Sequence, residues 1–221
     1  MTEEGHITIT ISRQMGSGGA YIGHLAAKEL GFKYLDREIL RQAAKDLGTD
    51  ASMLEDLAER SPGVIEKIIK GFSYGTPASG ILQPMGPPVY SKDLFTLECK
   101  IIQKAADQYN AVIIGRGGFY ALRERPGVIH VFIHAPLGFR VKRVMQVQNI
   151  TDIREARNKV KNSDRNRAKY IRDMAGVHWT DSRNFHLCID SSLISFSEIA
   201  KMIVIFVKKM KLSDRGNGKE Q

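Results

Sequence analysis

The sequence predicts an α/β fold in which a parallel sheet of about five strands carries helices on both faces. Apolar strands alternate along the chain with amphipathic helices, the order that builds such a sheet. Two of these strands, 111–114 and 128–134, are apolar at nearly every position, as expected for strands buried on both faces. We expect one domain over residues 1–212, followed by a polar, disordered tail over 213–221.

The first 36 residues contain the most informative pattern. β-branched residues from Ile7 to Ser12 predict a strand, and apolar residues at helical spacing from Ile22 to Leu30 predict a helix that ends at Gly31. Between them, residues 16–19 hold three glycines in four positions. Such a turn lets backbone N–H groups converge at the positive end of a helix, which makes it a candidate phosphate site. A plain glycine turn would have the same composition.

The glycine turn departs from the P-loop motif G-x-x-x-x-G-K-[ST]. In that motif the lysine reaches the phosphates and the hydroxyl binds Mg²⁺. In this register the first glycine of the motif falls on Arg13, the second on Gly18 and the lysine on Gly19. Ala20 and Tyr21 follow, so the lysine and the aliphatic hydroxyl are both missing. Either another cation takes the place of the lysine, or turnover is slow, or the protein binds nucleotide without much chemistry.

The next part of the chain is predicted to be mainly helical. A short strand ends at Asp36, and helical patterns follow before a loop rich in glycine and proline over 71–90. Ser91 is placed to cap a long helix, which precedes the strand at 111–114 and the turn that carries Arg116. Ligands of parallel sheets bind beyond the carboxyl ends of the strands. We therefore expect the glycine turn, Asp36 and Arg116 to lie near one another.

The second half carries a strand at 128–134, a helix opened by Pro136 and a strongly charged helix that starts at 151–152. Asp164 and Arg167 share one face of the charged helix, which could fold across the carboxyl ends of the strands. A solvated helix with salt bridges would show the same charge pattern. A last strand near 185–192 and a final helix over about 197–212 complete the predicted elements.

The formal net charge of +9 favours anionic partners such as nucleotides, nucleic acid or a membrane surface. Nucleic-acid binding through the basic stretch 140–172 is the weaker expectation, because few aromatic residues interleave its charges. Cys99 and Cys188 are far apart in sequence and fit reduced core thiols. The polar N-terminus does not resemble a signal peptide, and no apolar run approaches the roughly 20 residues of a membrane span. We expect a cytoplasmic protein that does not bind membranes.

Five short motifs follow one another along the chain. They are Ser12-Arg13-Gln14-x-Gly16-Ser17-Gly18-Gly19, Leu35-Asp36-Arg37-Glu38, Ile114-Gly115-Arg116-Gly117, Asp164-Arg165-Asn166-Arg167 and Ile189-Asp190-Ser191. The ordered set resembles the cytidylate kinase-like family, a branch of the nucleoside monophosphate kinases. The resemblance covers residues 7 to about 207. It implies a three-layer P-loop kinase fold with a helical insert for the nucleoside monophosphate at about 50–95 and an arginine-bearing lid at about 151–180.

The resemblance also implies phosphoryl transfer from ATP, with Mg²⁺, to a nucleoside monophosphate such as CMP or dCMP. The residues implied to hold the donor phosphates are Gly16, Ser17, Gly18, Gly19 and Ala20. The residues implied to bind the acceptor are Asp36, Arg37, Arg116, Asp164, Arg165 and Arg167. Within this set Asp164 would recognise the cytosine amine, and Arg116 would bind the acceptor phosphate although Gly117 stands where cytidylate kinases have aspartate.

The missing lysine leaves two functions open. In the first, the protein is a kinase in which Arg13, or Arg165 and Arg167 of the lid, supply the missing charge. The candidate catalytic residues are then Arg13, Asp36 and Arg167. In the second, the protein is a catalytically weak nucleotide-binding regulator. No metal site made by the protein alone is predicted, so Mg²⁺ would be held mainly by phosphates and waters, with Ser17 or Asp36 as a candidate ligand.

Overall fold

The computed structural model describes residues 5–36, 92–115 and 117–216 of the chain. Most of the predicted insert, the loop at 71–90 and the end of the predicted tail lie outside these residues. So do two predicted substrate-binding residues, Arg37 and Arg116.

The described residues form a parallel sheet of five strands in the order β2-β3-β1-β4-β5. The strands are β1 (Thr8–Arg13), β2 (Lys33–Leu35), β3 (Ala111–Ile114), β4 (Val128–His134) and β5 (Leu187–Asp190). Central β1 pairs with both β3 and β4, and its partners are Ile114 for Ile11 and Ile133 for Arg13. The predicted parallel sheet is confirmed. Because β3 ends opposite Ile11, Arg13 lies two residues beyond the carboxyl end of β3.

One face of the sheet is covered by helices α1 (Gly19–Leu30) and the last helix of the described chain, Phe196–Gly216. Alternate residues of β1, Ile9 and Ile11, point to this face and are fully buried. They pack in one cluster with Ile22 of α1 and Ile203 of the last helix. The same core therefore contains the alternate isoleucines of β1 and the apolar residues that recur at helical spacing in α1.

The other face is covered by α2 (Lys92–Gln108), the short α3 (Gly118–Ala121) and an aromatic cluster. Trp179 is buried in this cluster and meets the ring of Phe132 edge-on, with 5.5 Å between ring centroids. Helices thus lie on both faces, which confirms the predicted three layers.

Two helices follow β4 and pack against each other beside the sheet. They are α4 (Leu137–Gln148) and α5 (Ile153–Ala175). Asp152 caps α5 by accepting a hydrogen bond of 2.7 Å from the N–H of Arg154. Apolar residues of both helices, Val144 and Val160 among them, enclose the buried side chain of Met15. The charged stretch is therefore one continuous helix with an apolar stripe that holds it against α4.

The last helix, now α6, ends four residues later than predicted, at Gly216. Residues 213–216, assigned from sequence to the tail, are therefore helical. Among the described helices, none is long and apolar enough to cross a membrane.

Both cysteines are free, but their surroundings differ. Cys99 is half-buried in α2, whereas Cys188 is exposed. The prediction of two core thiols is therefore wrong for Cys188. The physical reason is that Cys188 lies on β5, which forms an edge of the described sheet and pairs there with β4.

His130 of β4 is a buried histidine outside the glycine turn. Its Nδ1 lies 2.7 Å from the hydroxyl of Thr10, and its ring stacks on His186 with 5.2 Å between centroids. Burial, and secondarily the neighbouring charge of His186, lowers the pKa of His130 to about 4. The native protein therefore holds this histidine neutral at pH values where an unfolded chain would protonate it.

We predict that the protein loses stability on acidification from pH 7 to pH 5, with about 2 kcal/mol of the loss due to His130. The sign follows because the pKa of His130 is lower in the folded than in the unfolded state, so protons favour unfolding as the pH falls below about 6.5. Urea unfolding at both pH values should show a smaller loss in His130→Asn, which retains an acceptor for Thr10. Equal losses in the two proteins would contradict this assignment.

Candidate active site

A glycine-rich loop joins β1 to α1 at the carboxyl edge of the sheet. Gly16 and Gly18 have left-handed backbones, with φ of 83° and 79°. Gly18 is the N-cap of α1, and its carbonyl accepts the hydrogen bond of Ile22 N–H at 2.9 Å. The N–H groups of Gly19 and Ala20 precede that bond and therefore belong to the unpaired start of the helix. The loop and this helix start form a cradle suited to an anion.

Ser17 points into the protein rather than toward this cradle. Its side chain is fully buried, and its hydroxyl donates to the carbonyl of Gln14 at 2.9 Å. This orientation does not fit the predicted role of Ser17 as a magnesium ligand. Its backbone N–H also donates to the Gln14 carbonyl, at 3.3 Å.

The side chain of Arg13 crosses the edge of the sheet beside the loop. A Cβ atom added to Gly19 would lie 2.5 Å from Arg13 Cβ, and one added to Gly115 would collide with Arg13 Nη1. The arginine stem therefore passes against Gly19, and its guanidinium lies over Gly115 at the end of β3. A lysine at position 19 and an arginine at position 13 do not fit together in this backbone.

Asp36 lies near the same cation. The hydroxyl of buried Tyr34 donates to the carbonyl of Ala20 at 3.2 Å, and the Asp36 side chain lies close to it. Burial, followed by the charge of Asp36, raises the pKa of Tyr34, whereas the positive charge of Arg13 acts in the opposite direction. Arg13 and Asp36 thus both lie close enough to the Tyr34 hydroxyl to influence it.

Helix α5 reaches the loop through two of the predicted residues. Asp164 Oδ1 accepts a hydrogen bond of 2.9 Å from the N–H of Met15. Arg167 Nη1 donates to the carbonyl of Arg13 at 3.1 Å and lies 3.4 Å from Asp164 Oδ1. The charged helix therefore folds across the edge of the sheet. Arg165 is not brought to the loop: it is exposed and donates to Asn162 on its own helix.

Arg140 is a residue of the site that the sequence analysis missed. It is only 6% exposed, and its Nε donates to the carbonyl of Ala135 at 2.8 Å. Its Nη1 donates to Met15 O at 3.1 Å and to Asp164 Oδ2 at 2.6 Å. The available signal was the position of Arg140 on the apolar face of α4, four residues before buried Val144.

A second missed group flanks the outer side of the loop. The guanidinium of Arg143 lies over the ring of Phe196, 4.5 Å from its centroid, and burial lowers the pKa of this arginine. The same ring presses on Gly18, where an added Cβ would lie 2.6 Å from Phe196 Cζ. A flat, positively charged surface therefore adjoins the loop.

Comparison with known families identifies the family of the chain. The sequence model of the cytidylate kinase-like family matches residues 8–193. The chain belongs to the cytidylate kinase-like family. This member of the family is 23% identical over 201 residues to the cytidylate kinase of Methanopyrus kandleri, a match that covers 87% of the chain and 88% of that relative.

Solved structures share the fold. An uncharacterised protein from Eubacterium ventriosum ATCC 27560 superposes with a TM-score of 0.62 at 21% identity, over 92% of this chain and 99% of that one. Shikimate kinase from Acinetobacter baumannii, in complex with shikimate, gives 0.51 at 17% identity, over 95% and 97%. A gluconokinase from Sinorhizobium meliloti 1021 gives 0.51 at 13% identity, over 97% and 98%. The predicted P-loop kinase fold is therefore confirmed.

Proposed function

We propose that the protein is an ATP-dependent kinase that transfers a phosphoryl group to a nucleoside monophosphate, with CMP or dCMP as the favoured acceptor. The observation that carries this proposal is the convergence of Arg13, Arg167 and the glycine cradle at one edge of the sheet. Phosphoryl transfer depends mainly on positioning and on neutralising charge, and these groups supply both.

On the donor side, the N–H groups of the cradle bind the phosphates of ATP, and Arg13 replaces the missing lysine. A guanidinium keeps its charge at all working pH values and binds phosphate oxygens in pairs. The surface made by Arg143 and Phe196 suits a flat base at the outer end of the phosphate chain. The donor would thus lie with its phosphates over the loop and its base against this surface.

Magnesium accompanies the donor. Among the described residues, no group of three His, Cys, Asp or Glu side chains could hold a metal ion by itself. With the Ser17 hydroxyl turned inward, Asp36 is the remaining predicted ligand, and phosphates and waters complete the set. A bound Mg²⁺ would neutralise phosphate charge, and Asp36 would hold the ion at the side of the site where Arg13 also lies.

On the acceptor side, Asp164 recognises the exocyclic amine of cytosine, and Arg167 binds phosphate. A carboxylate has about four acceptor positions, and the Asp164 side chain keeps 18% of its surface exposed beside its bonds to Arg140 and Met15. Arg37 and Arg116 complete the acceptor site in this proposal. They are included only because the family resemblance implies them.

A second candidate is a nucleotide-binding regulator with weak turnover. The observation that favours it is glycine in place of the P-loop lysine at position 19. Nucleic-acid binding gains less support, because Arg140 in the basic stretch is buried and holds internal carbonyls.

An acceptor panel tests the proposal. Release of ADP from Mg·ATP is measured with CMP, dCMP, UMP, AMP and GMP, and with shikimate and gluconate because solved relatives are shikimate kinase and gluconokinase. We expect kcat/KM for CMP or dCMP to exceed that of every other acceptor by at least about 10-fold. Asp181→Asn, which alters a partly exposed acid paired with Arg183, serves as the control and should retain full activity. ATP binding without ADP release would favour the regulator.

A further inference from the structure

Two carbonyl groups of the glycine loop are held by buried side chains from outside the loop. Arg140 of α4 donates to the carbonyl of Met15 at 3.1 Å. The hydroxyl of Ser191, just after β5, lies 2.7 Å from the carbonyl oxygen of Ser17 and 3.1 Å from that of His134, so its one hydrogen is directed mainly at the nearer acceptor, Ser17. Arg140 is 6% exposed and Ser191 only 1% exposed, so both donors sit in fixed surroundings.

The direction of a carbonyl fixes the direction of the next N–H group. In a planar trans peptide the C=O of one residue and the N–H of the next point in opposite directions. By drawing the Met15 carbonyl toward itself, Arg140 turns the N–H of Gly16 to the other side of the loop. Ser191 does the same for the N–H of Gly18 through the carbonyl of Ser17.

Further contacts hold the first of these peptides in place. Asp164 accepts the N–H of Met15 while it pairs with Arg140, so one ion pair holds both polar groups of the Met15 backbone. The backbone of Gly16 also presses on α4, since a Cβ atom there would lie 2.6 Å from the Arg140 carbonyl oxygen. Rotating the peptide between Met15 and Gly16 would turn the N–H group of Gly16 toward the buried guanidinium of Arg140. The guanidinium would then lose the Met15 carbonyl as its acceptor.

We propose that Arg140 and Ser191 are positioning residues for the donor phosphates. They need not touch the nucleotide. They turn the N–H groups of Gly16 and Gly18 toward the phosphate chain before it binds, which spares the loop a reorganisation on binding. This inference rests on the proposed nucleotide site and adds the side chains that keep its amides directed at the anion.

The test is calorimetric titration of the full chain with Mg·ATP and with Mg·tripolyphosphate, which has the phosphate chain without base or ribose. We expect Ser191→Ala to weaken both ligands by about 10-fold. Arg140→Lys keeps a positive charge beside Asp164 but loses the forked donors of the guanidinium, so it should also weaken the binding of both ligands. Ser192→Ala is the matched control for Ser191, because the Ser192 hydroxyl bonds to Asp190 instead of the loop. Lys142→Met, on the exposed face of α4, is the control for Arg140.

In the kinase assay Ser191→Ala should raise KM for ATP while KM for the acceptor stays unchanged, a split that a general loss of stability would not produce. The proposal is overturned if Ser191→Ala binds both probes as the wild type does, or if it weakens ATP alone. It is also overturned if the wild type binds ATP but not tripolyphosphate. A wild type that binds neither probe would instead remove the proposed function itself, and the positioning role with it.

Discussion

Replacement of Arg13 by alanine is expected to lower kcat/KM for ATP by about 10²–10³-fold. The reason is that the stem of Arg13 packs against Gly19, the position where the P-loop lysine is missing, and its guanidinium lies over Gly115 at the same edge of the sheet. Removing one donor that stabilises developing charge in a water-poor site commonly costs a factor of this size. Steady-state kinetics with varied Mg·ATP measure the loss, and Arg183→Ala, which removes an exposed arginine paired with Asp181, provides the control.

A charge swap sharpens this prediction. Gly19→Lys alone should impair the protein, because its Cβ would lie 2.5 Å from Arg13 Cβ. Arg13→Gly combined with Gly19→Lys removes that collision and restores the first glycine and the lysine of the motif, so it should recover at least about 10-fold of the activity that Arg13→Gly loses. An Arg13→Ala variant with unchanged kcat and unchanged ATP affinity would exclude Arg13 as the replacement cation.

Asp164→Ala is expected to destabilise the protein by about 3–5 kcal/mol, the largest stability effect predicted for this site. The substitution leaves the buried guanidinium of Arg140 without its carboxylate partner at 2.6 Å and the N–H of Met15 without its acceptor at 2.9 Å. Uncompensated buried charge is more costly than the loss of an exposed ion pair. Urea unfolding at pH 7 measures the change in the free energy of unfolding.

The matched control is Asp173→Ala, which removes an exposed carboxylate from the same helix and should change stability by less than about 0.5 kcal/mol. Removing both charges, with Arg140→Met and Asp164→Leu, should cost less than Asp164→Ala alone, because no unpaired charge remains. If Asp164→Ala and Asp173→Ala had equal effects, the ion pair would not hold α5 on the loop.

The sheet and the position of the site could be predicted because they depend on local patterns. The apolar runs at 111–114 and 128–134 identify buried parallel strands, and the clustered glycines mark the turn after β1. Parallel strands place their carboxyl ends at one edge, so a charged helix that crosses this edge brings Asp164 and Arg167 to the glycine loop.

The rest depended on contacts between distant parts of the chain. The position of the Arg13 guanidinium over Gly115 follows from the register of β1 against β3, which no local pattern encodes. Ser17 carries a hydroxyl at a motif position, yet its orientation is decided by the carbonyl of Gln14. In the sequence Arg140 is one basic residue among several. Its burial is stabilised by Asp164 of α5, which comes from a distant part of the chain.

The central claim is that a glycine loop without lysine binds a triphosphate because Arg13 supplies the missing charge. Titration calorimetry of the purified protein with Mg·ATP, repeated with a non-hydrolysable analogue, tests it most directly. We predict saturable binding at one site with Kd between about 1 μM and 1 mM, the range of ordinary enzyme substrates, and much weaker binding by Arg13→Ala. The absence of any binding heat with both ligands at millimolar concentration would contradict the account.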